Sequence, residues 1–435
     1  MTPATLAPAP RWRRFALVLC MFLITATVGF LQPFVPLYLE AGGLTRGQIG
    51  LVSGLGAGLA LLVQPLLGRL SDLLDSRRPL MALAALSAGL AYLSYRAAHG
   101  LAAFLLLSAI GINGAMYLNA VGGVLVGRMV GGTAGGGRTY AGYRVWGSVG
   151  YILVTLLTGW LVSHVRGPGA ALSREVLNPV FAYGPLLFFA IAAAALFVPD
   201  RKNALAAPLQ AHSPSRQRQP LPHNLRAFLL AFCLYQFALY GASAFLSLYL
   251  KSLHASPLWI TGTFAAGVVC EVLVMTRVGR FTDTYGRRPA LALAFLVMPL
   301  RLLFYIPATG PLWVLLVQTL HGLNFGIMGA IAVVFVNDSA TEWERGAAQA
   351  RLAAAGGLAT ALGPAVCGWI AGHFGMGWMF AAMSAMGAVA AGVFLTQVQE
   401  SHPSPSSLVA RGPACLHPLL RLLCAPPTRN LSAGG

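Results

Sequence analysis

Two stretches decide how this chain reads: GRLSDLLDSRRP at residues 68–79 and GRFTDTYGRRP at residues 279–289. Each opens on a Gly-Arg pair, places an Asp four residues after the Gly, and closes on Arg-Arg-Pro. Gly68, Arg69 and Asp72 recur as Gly279, Arg280 and Asp283, an offset of 211 residues. The same offset relates Leu37-Tyr38-Leu39 to Leu248-Tyr249-Leu250, and Gly111 and Asn113 to Gly322 and Asn324. One offset shared by three separate regions points to a duplicated unit. Arg77 and Arg78 close the first copy, and Arg287 and Arg288 close the second. The first copy has one extra residue, with Asp75-Ser76 where the second has Gly286.

Both stretches lie between long apolar runs. Of 435 residues, 57% are hydrophobic and only 9% are charged, against about 25% charged in a soluble globular protein. So few charges cannot cover a soluble surface. The net charge of +18 alone would suit a nucleic-acid binder, but such a protein does not carry this much apolar sequence. A membrane-crossing helix needs about 20 apolar residues. Twelve stretches qualify: 15–39, 47–68, 80–96, 101–126, 140–164, 179–198, 225–250, 258–279, 289–307, 312–337, 349–373 and 377–397. The expected fold is an all-α membrane protein of twelve transmembrane helices in two pseudo-symmetric six-helix halves, 15–198 and 225–397. Segment 1–14 precedes them. Segment 199–224, rich in Pro, Gln and Arg, is expected to be a cytoplasmic linker, and 398–435 a mostly disordered cytoplasmic tail.

The loops on the side of both termini hold nineteen of the 29 Lys and Arg residues, and the opposite loops hold four: Arg46, Arg166, Arg174 and Lys251. Basic residues mark the cytoplasmic side, so both termini are expected there, in the cell's inner or plasma membrane. The run after Arg11, Arg13 and Arg14 is too long for a signal-peptide core and is read as the first span. The six cysteines show no ligand spacing, so no metal, cofactor or disulfide framework is expected. Gly132 to Thr139 only approximates a phosphate-binding loop, and no H-E-x-x-H or G-x-S-x-G occurs, which disfavours an enzyme.

The repeated loop resembles the G-x-x-x-D-[RK]-x-G-R-[RK] signature of the major facilitator superfamily. Thr284 stands in the first basic position of the second copy. The resemblance covers residues 15–397. It implies alternating access, with Gly68, Arg69, Asp72, Arg77, Arg78, Gly279, Arg280, Asp283, Gly286, Arg287 and Arg288 as a conformational latch. Paired six-span repeats also place a substrate site between the halves, near mid-membrane.

Ionisable groups at membrane depth are costly and point to function. Glu271 is the only carboxylate well inside any span. Arg144 lies in span 5, Arg301 in span 9, His321 and Asn324 in span 10, and Asn113 and Asn119 in span 4. At the repeat offset Glu271 corresponds to Ala60, Arg301 to Leu90, His321 to Ile110 and Arg144 to Ala355, so these four break the duplication. An Arg stays charged, so proton carriage falls to Glu271 or His321, with Arg144 or Arg301 as the expected ion-pair partner of Glu271. Segments YRVWGSVGY (143–151), VCEVLVM (269–275), PLRLLFY (299–305) and LVQTLHGLNFG (316–326) resemble a narrower proton-symporter branch. That branch includes lactose permease, nucleoside permeases and a phenylpropionate-permease-like group. The resemblance implies that Arg144 and Glu271 serve the substrate, and Arg301 and His321 the proton. Asn324 and Asn119 stand where the branch carries acids. Tyr117, Trp146, Tyr235, Gln236 and Tyr240 are candidates for a cavity wall, or for interfacial anchors.

The function expected is movement of a small organic solute, with protons, by a monomer in a lipid bilayer and without nucleic acid. A drug or metabolite efflux antiporter and a non-transporting membrane sensor on the same fold are the alternatives.

Overall fold

In a computed structural model of the chain, residues 11–74, 76–130, 136–166, 171–197 and 221–401 are described. The linker and tail expected at 199–224 and 398–435 therefore lie almost wholly outside the described residues, as do residues 132–135 of the expected Gly132–Thr139 loop, whereas residues 136–139 are not loop but open the helix Gly136–Arg166. The described residues form twelve helices long and apolar enough to cross a membrane. Spans 1 to 6 are Phe15–Ala41, Arg46–Ser71, Arg78–Ala97, Gly100–Leu125, Arg144–Val165 and Arg174–Ala195. Spans 7 to 12 are His223–Ser252, Pro257–Tyr285, Arg287–Tyr305, Pro311–Ser339, Arg345–His373 and Met376–Gln397. The count matches the sequence expectation. Leu62, Leu66, Leu157 and Trp369 are exposed, which in a soluble protein would invite aggregation and here fits faces turned to lipid.

Not every span is one continuous helix. Span 2 breaks at Leu59, after a run holding Gly54, Gly56 and Gly58, residues that hold a helix poorly. Span 6 breaks at Gly184-Pro185, where proline withholds an amide hydrogen. Span 10 carries a π-helical turn at Gly322–Gly326.

Contacts divide the chain into two units: Met1–Leu44 with Leu59–Arg216, and Thr45–Gly58 with Gln217–Gly435. In unit 1, span 1 packs on spans 5 and 6, and span 3 packs on spans 4 and 6. Thr25 and Thr155 stitch spans 1 and 5, with their hydroxyls donating to Gly147 O at 2.7 Å and Gly29 O at 2.9 Å. In unit 2, span 7 packs on spans 11 and 12, and span 9 packs on span 12. These pairings repeat those of unit 1 six spans later, as a duplicated unit requires. Arg174 closes the far end of unit 1. Its Nη2 donates to the carbonyls of Tyr95 at 3.1 Å, Arg96 at 3.2 Å and Ala98 at 2.5 Å. These lie at the end of span 3, where helix carbonyls lack intrahelical partners.

By contacts, the first half of span 2, Thr45–Gly58, groups with unit 2. The cause is glycine. A Cβ on Gly50 would collide with the Pro364 carbonyl oxygen and stand 3.0 Å from Gly368 Cα, and one on Gly54 would collide with Ala361 O. Arg46 Nη1 also donates to Ala371 O at 3.1 Å. Gly50→Leu is expected to force residues 46–58 off span 11, since overpacking costs roughly 1–3 kcal/mol or more. A lower melting temperature of the purified protein, together with labelling of a cysteine placed at Ala361, would show it. An unchanged melting temperature would refute the close approach.

Candidate functional site

The polar residues of unit 2 converge where spans 8, 9 and 10 meet. Glu271 sits at the midpoint of the span 8 helix, Pro257–Tyr285. Among the described residues it is the one carboxylate at mid-span; Glu40, Glu175, Asp283 and Asp338 lie at span ends. The π-helical turn of span 10 packs directly on span 8 here. Such wide turns recur at functional sites because they shift side chains out of helical register. Gly322 allows the approach: a Cβ there would strike the Cys270 carbonyl carbon and stand 2.6 Å from its oxygen and 2.8 Å from Glu271 N. A Cβ on Gly326 would stand 3.1 Å from Glu271 O. The backbones of spans 8 and 10 therefore meet at Glu271.

Arg301 of span 9 is 2% exposed. All three of its nitrogens are engaged. Nη2 donates to Gln318 Oε1 at 2.9 Å, Nη1 to Asn324 Oδ1 at 3.3 Å, and Nε to the Tyr305 hydroxyl at 3.1 Å. Tyr305 donates its own hydrogen to the same Gln318 oxygen at 2.5 Å. The Gln318 amide nitrogen stands 3.5 Å from His321 Nδ1, and His321 Nε2 stands 3.7 Å from Glu271 Oε2. A polar line thus runs Arg301–Gln318–His321–Glu271. The Phe325 ring stacks on His321 with centroids 4.1 Å apart, and Tyr240 of span 7 meets Phe325 edge-on at 5.8 Å. Asn324 also donates to Ala294 O at 3.1 Å, which ties span 10 to span 9.

The expected ion pair between Arg301 and Glu271 is corrected by this geometry. The guanidinium is bound by three neutral oxygens, and Glu271 faces His321 instead. Asn324 stands at the position where the symporter branch carries an acid, and it accepts from Arg301 without ionising. Tyr235 does not line a cavity either: it is fully buried, and its hydroxyl donates to Asn324 O at 3.4 Å. Gln236 is half-buried on span 7, one turn before Tyr240.

The remaining candidates stand in unit 1. Arg144 and Trp146 are exposed on span 5. Asn119 is exposed on span 4, its amide donating to Ala115 O at 3.0 Å within its own helix. Asn113 is buried, its side-chain amide donates to Ala109 O at 2.8 Å, and its backbone carbonyl accepts from Gln64 at 3.0 Å. Tyr117 is buried on the same span. Gln318 and Tyr305 escaped the sequence reading. Each lies one helical turn from a residue already singled out, Gln318 before His321 and Tyr305 after Arg301, and that spacing was the available signal.

The two Gly-Arg loops differ in what can be described. In the first, Gly68 and Arg69 sit near the end of span 2, and Arg77 and Arg78 are half-buried at the start of span 3. Asp72 lies in the helix, and its side chain is outside the described residues. In the second, Gly279 meets open space and Arg280 is exposed. Gly286 takes φ 92°, a conformation that favours glycine, and ends span 8. Arg287 Nε binds Asp338 at 3.1 Å, while Asp283 stands 4.0 Å from Arg287 Nη1 and is largely exposed. The amides of Arg287 and Arg288 donate to the Glu400 carboxylate at 3.0 and 2.9 Å. Arg288 Nε also donates to Val398 O at 2.8 Å. Glu400 therefore caps the first turn of span 9 from the end of span 12, at the positive pole of the helix dipole. Glu400→Ala removes that cap and is expected to cost about 1–2 kcal/mol. A melting temperature equal to wild type would refute this.

Comparison with known proteins agrees with this architecture. A model described as the MFS_1 like family matches residues 15–382. The chain is 25% identical over 418 residues to the uncharacterized MFS-type transporter MT2531 of Mycobacterium tuberculosis (strain CDC 1551 / Oshkosh), covering 91% of this chain and 94% of that protein. Among solved structures it resembles a point mutant of the nucleoside transporter NupG, with TM-score 0.76, 16% identity, 89% of this chain and 100% of the other covered. It also resembles a D-xylose-proton symporter, with TM-score 0.67, 16% identity, and 90% and 98% covered. At these identities the solved structures speak for the fold alone. With its twelve spans, its duplicated packing and a family match over most of its length, the chain belongs to the MFS_1-like family of the major facilitator superfamily and is a membrane transporter, not an enzyme.

Proposed function

We propose that this transporter moves a small polar or amphipathic organic solute together with protons by alternating access, with Glu271 as the proton carrier. The observation that carries the reading is the line Arg301–Gln318–His321–Glu271. It contains one fixed positive charge, held by neutral acceptors, and one mid-span carboxylate that this charge does not neutralise by direct pairing. Such a carboxylate, with no fixed charge bound to it, is free to exchange a proton as its surroundings change. Solute binding and the turnover of the transporter would supply the changing surroundings. Two fold relatives, a nucleoside transporter and a D-xylose-proton symporter by their names, support a small-molecule substrate and proton coupling. Tyr240 and Phe325 offer aromatic surface beside the carboxylate, which favours a solute with a flat or apolar part. The bias of basic residues supports cytoplasmic termini, and the two Gly-Arg loops are proposed as the latch.

The test begins with thermal stabilisation of the purified protein across sugars, nucleosides and aromatic acids. The stabilising solute is then offered to proteoliposomes under an imposed proton gradient. Accumulation above the outside concentration, abolished by a protonophore, is expected. Equilibration that ignores the gradient would overturn coupling. Efflux driven by the gradient would favour the antiporter alternative.

A further inference from the structure

We propose that Gln318 is the positioning residue of the proton site, holding His321 as the neutral Nε2–H tautomer so that Glu271 alone in the line gains and loses a proton. The role of Glu271 rests on the reading above; the role of Gln318 stands on hydrogen-bond geometry.

The guanidinium of Arg301 can only donate. Its Nε donates to the Tyr305 oxygen at 3.1 Å, so the Tyr305 hydrogen is directed to its other neighbour, the Gln318 side chain, at 2.5 Å. Two donors, Arg301 Nη2 and the Tyr305 hydroxyl, thus meet one atom of Gln318. That atom must be the carbonyl oxygen, because a reversed amide would set its N–H against the N–H of a guanidinium that cannot accept. The orientation of Gln318 is therefore dictated by its surroundings.

With the oxygen placed, the NH2 group faces His321 Nδ1 at 3.5 Å. Nδ1 must then offer a lone pair, and the ring hydrogen of a neutral imidazole moves to Nε2. Nε2 is the atom that faces Glu271 Oε2 at 3.7 Å. Space for this arrangement comes from Gly267 of span 8, where a Cβ would stand 3.0 Å from Gln318 Nε2 and 3.3 Å from His321 Cδ2. The groups around His321 are Glu271 from span 8, Arg301 and Tyr305 from span 9, Gln318 and Phe325 from its own span, and Tyr240 from span 7 beyond the Phe325 ring. A second proton on His321 would enter at Nδ1, against the Gln318 N–H and toward the permanent charge of Arg301. The amide therefore opposes the imidazolium and leaves the proton to Glu271.

The experiment uses full-length protein in lipid nanodiscs with 15N-labelled histidine, and His321→Asn identifies the His321 signals among nine histidines. In the wild type, Nδ1 is expected to stay unprotonated and Nε2 protonated from about pH 5 to about pH 8, the range in which an ordinary histidine titrates. Gln318→Glu is the near-isosteric variant. Its carboxylate still accepts from Arg301 and Tyr305 but offers only an acceptor to the ring, so Nδ1 is expected to become protonated. A protonated Nδ1 in the wild type, or a bare Nδ1 in Gln318→Glu, would overturn the proposal. Infrared difference spectra over the same pH range, with Glu271→Gln identifying the carboxyl band, test the carrier separately. A band that does not titrate while the tautomer is as stated would sink the carrier reading and support the role of Gln318. A titrating band with the opposite tautomer would do the reverse.

Discussion

Glu271→Gln is expected to abolish accumulation while leaving solute binding and equilibrating flux in place. For one proton per solute, a gradient of one pH unit supplies about 1.4 kcal/mol, a tenfold concentration ratio at equilibrium. The variant should reach a ratio of one, so the loss is about tenfold for each pH unit imposed. The reason is the composition of the site. Arginine is not deprotonated in proteins, and the three nitrogens of Arg301 are bound to Gln318, Asn324 and Tyr305. The Gln318 amide opposes protonation of His321. Glutamine keeps the size of Glu271 and can still accept from His321 Nε2, so packing survives and only the exchangeable proton is lost. Proteoliposome uptake with and without the gradient measures it. Gradient-driven accumulation retained in Glu271→Gln would end the carrier reading.

Gly322→Ala is expected to damage both stability and coupling, which is unusual for one added methyl group. The new Cβ would meet the Cys270 carbonyl and Glu271 N, backbone atoms that cannot swing aside as a flexible side chain could. Spans 8 and 10 must part, at a cost of roughly 1–3 kcal/mol or more. Their parting widens the His321–Glu271 gap, which is already 3.7 Å. Gly329 on the same span supplies the control, because a Cβ there meets nothing within 4 Å. Gly329→Ala should be neutral, or stabilising by about 0.5–1 kcal/mol through helix propensity. Equal melting temperatures for the two variants would refute the close approach at Gly322.

These expectations show which parts of the molecule were legible from sequence. Twelve spans could be read because a membrane crossing is a local sum: enough apolar residues in a row, bounded by polar ones. The repeat could be read because Gly68, Arg69 and Asp72 keep one offset from Gly279, Arg280 and Asp283. Glu271 stood out because a lone carboxylate in an apolar run needs no neighbour to be conspicuous. Its partner was a different matter. A choice among Arg144, Arg301 and His321 depends on how each helix is rotated, and the sequence does not state the rotation of one helix against another.

The two Gly-Arg loops show the same division. Their sequences alone established the duplication and, with the basic residues around them, the expected sidedness. Only the tertiary structure decided that Glu400, more than a hundred residues away, caps the second loop's helix, and that Arg287 binds Asp338 more closely than Asp283. Only it decided that Gly322 lets two backbones touch, that the amide of Gln318 links Arg301 to His321, and that the first half of span 2 joins unit 2. The physical reason is common to all of these. Hydropathy and charge bias are carried by each segment by itself, whereas a hydrogen-bond partner or a missing Cβ acquires meaning only when a second segment stands against it.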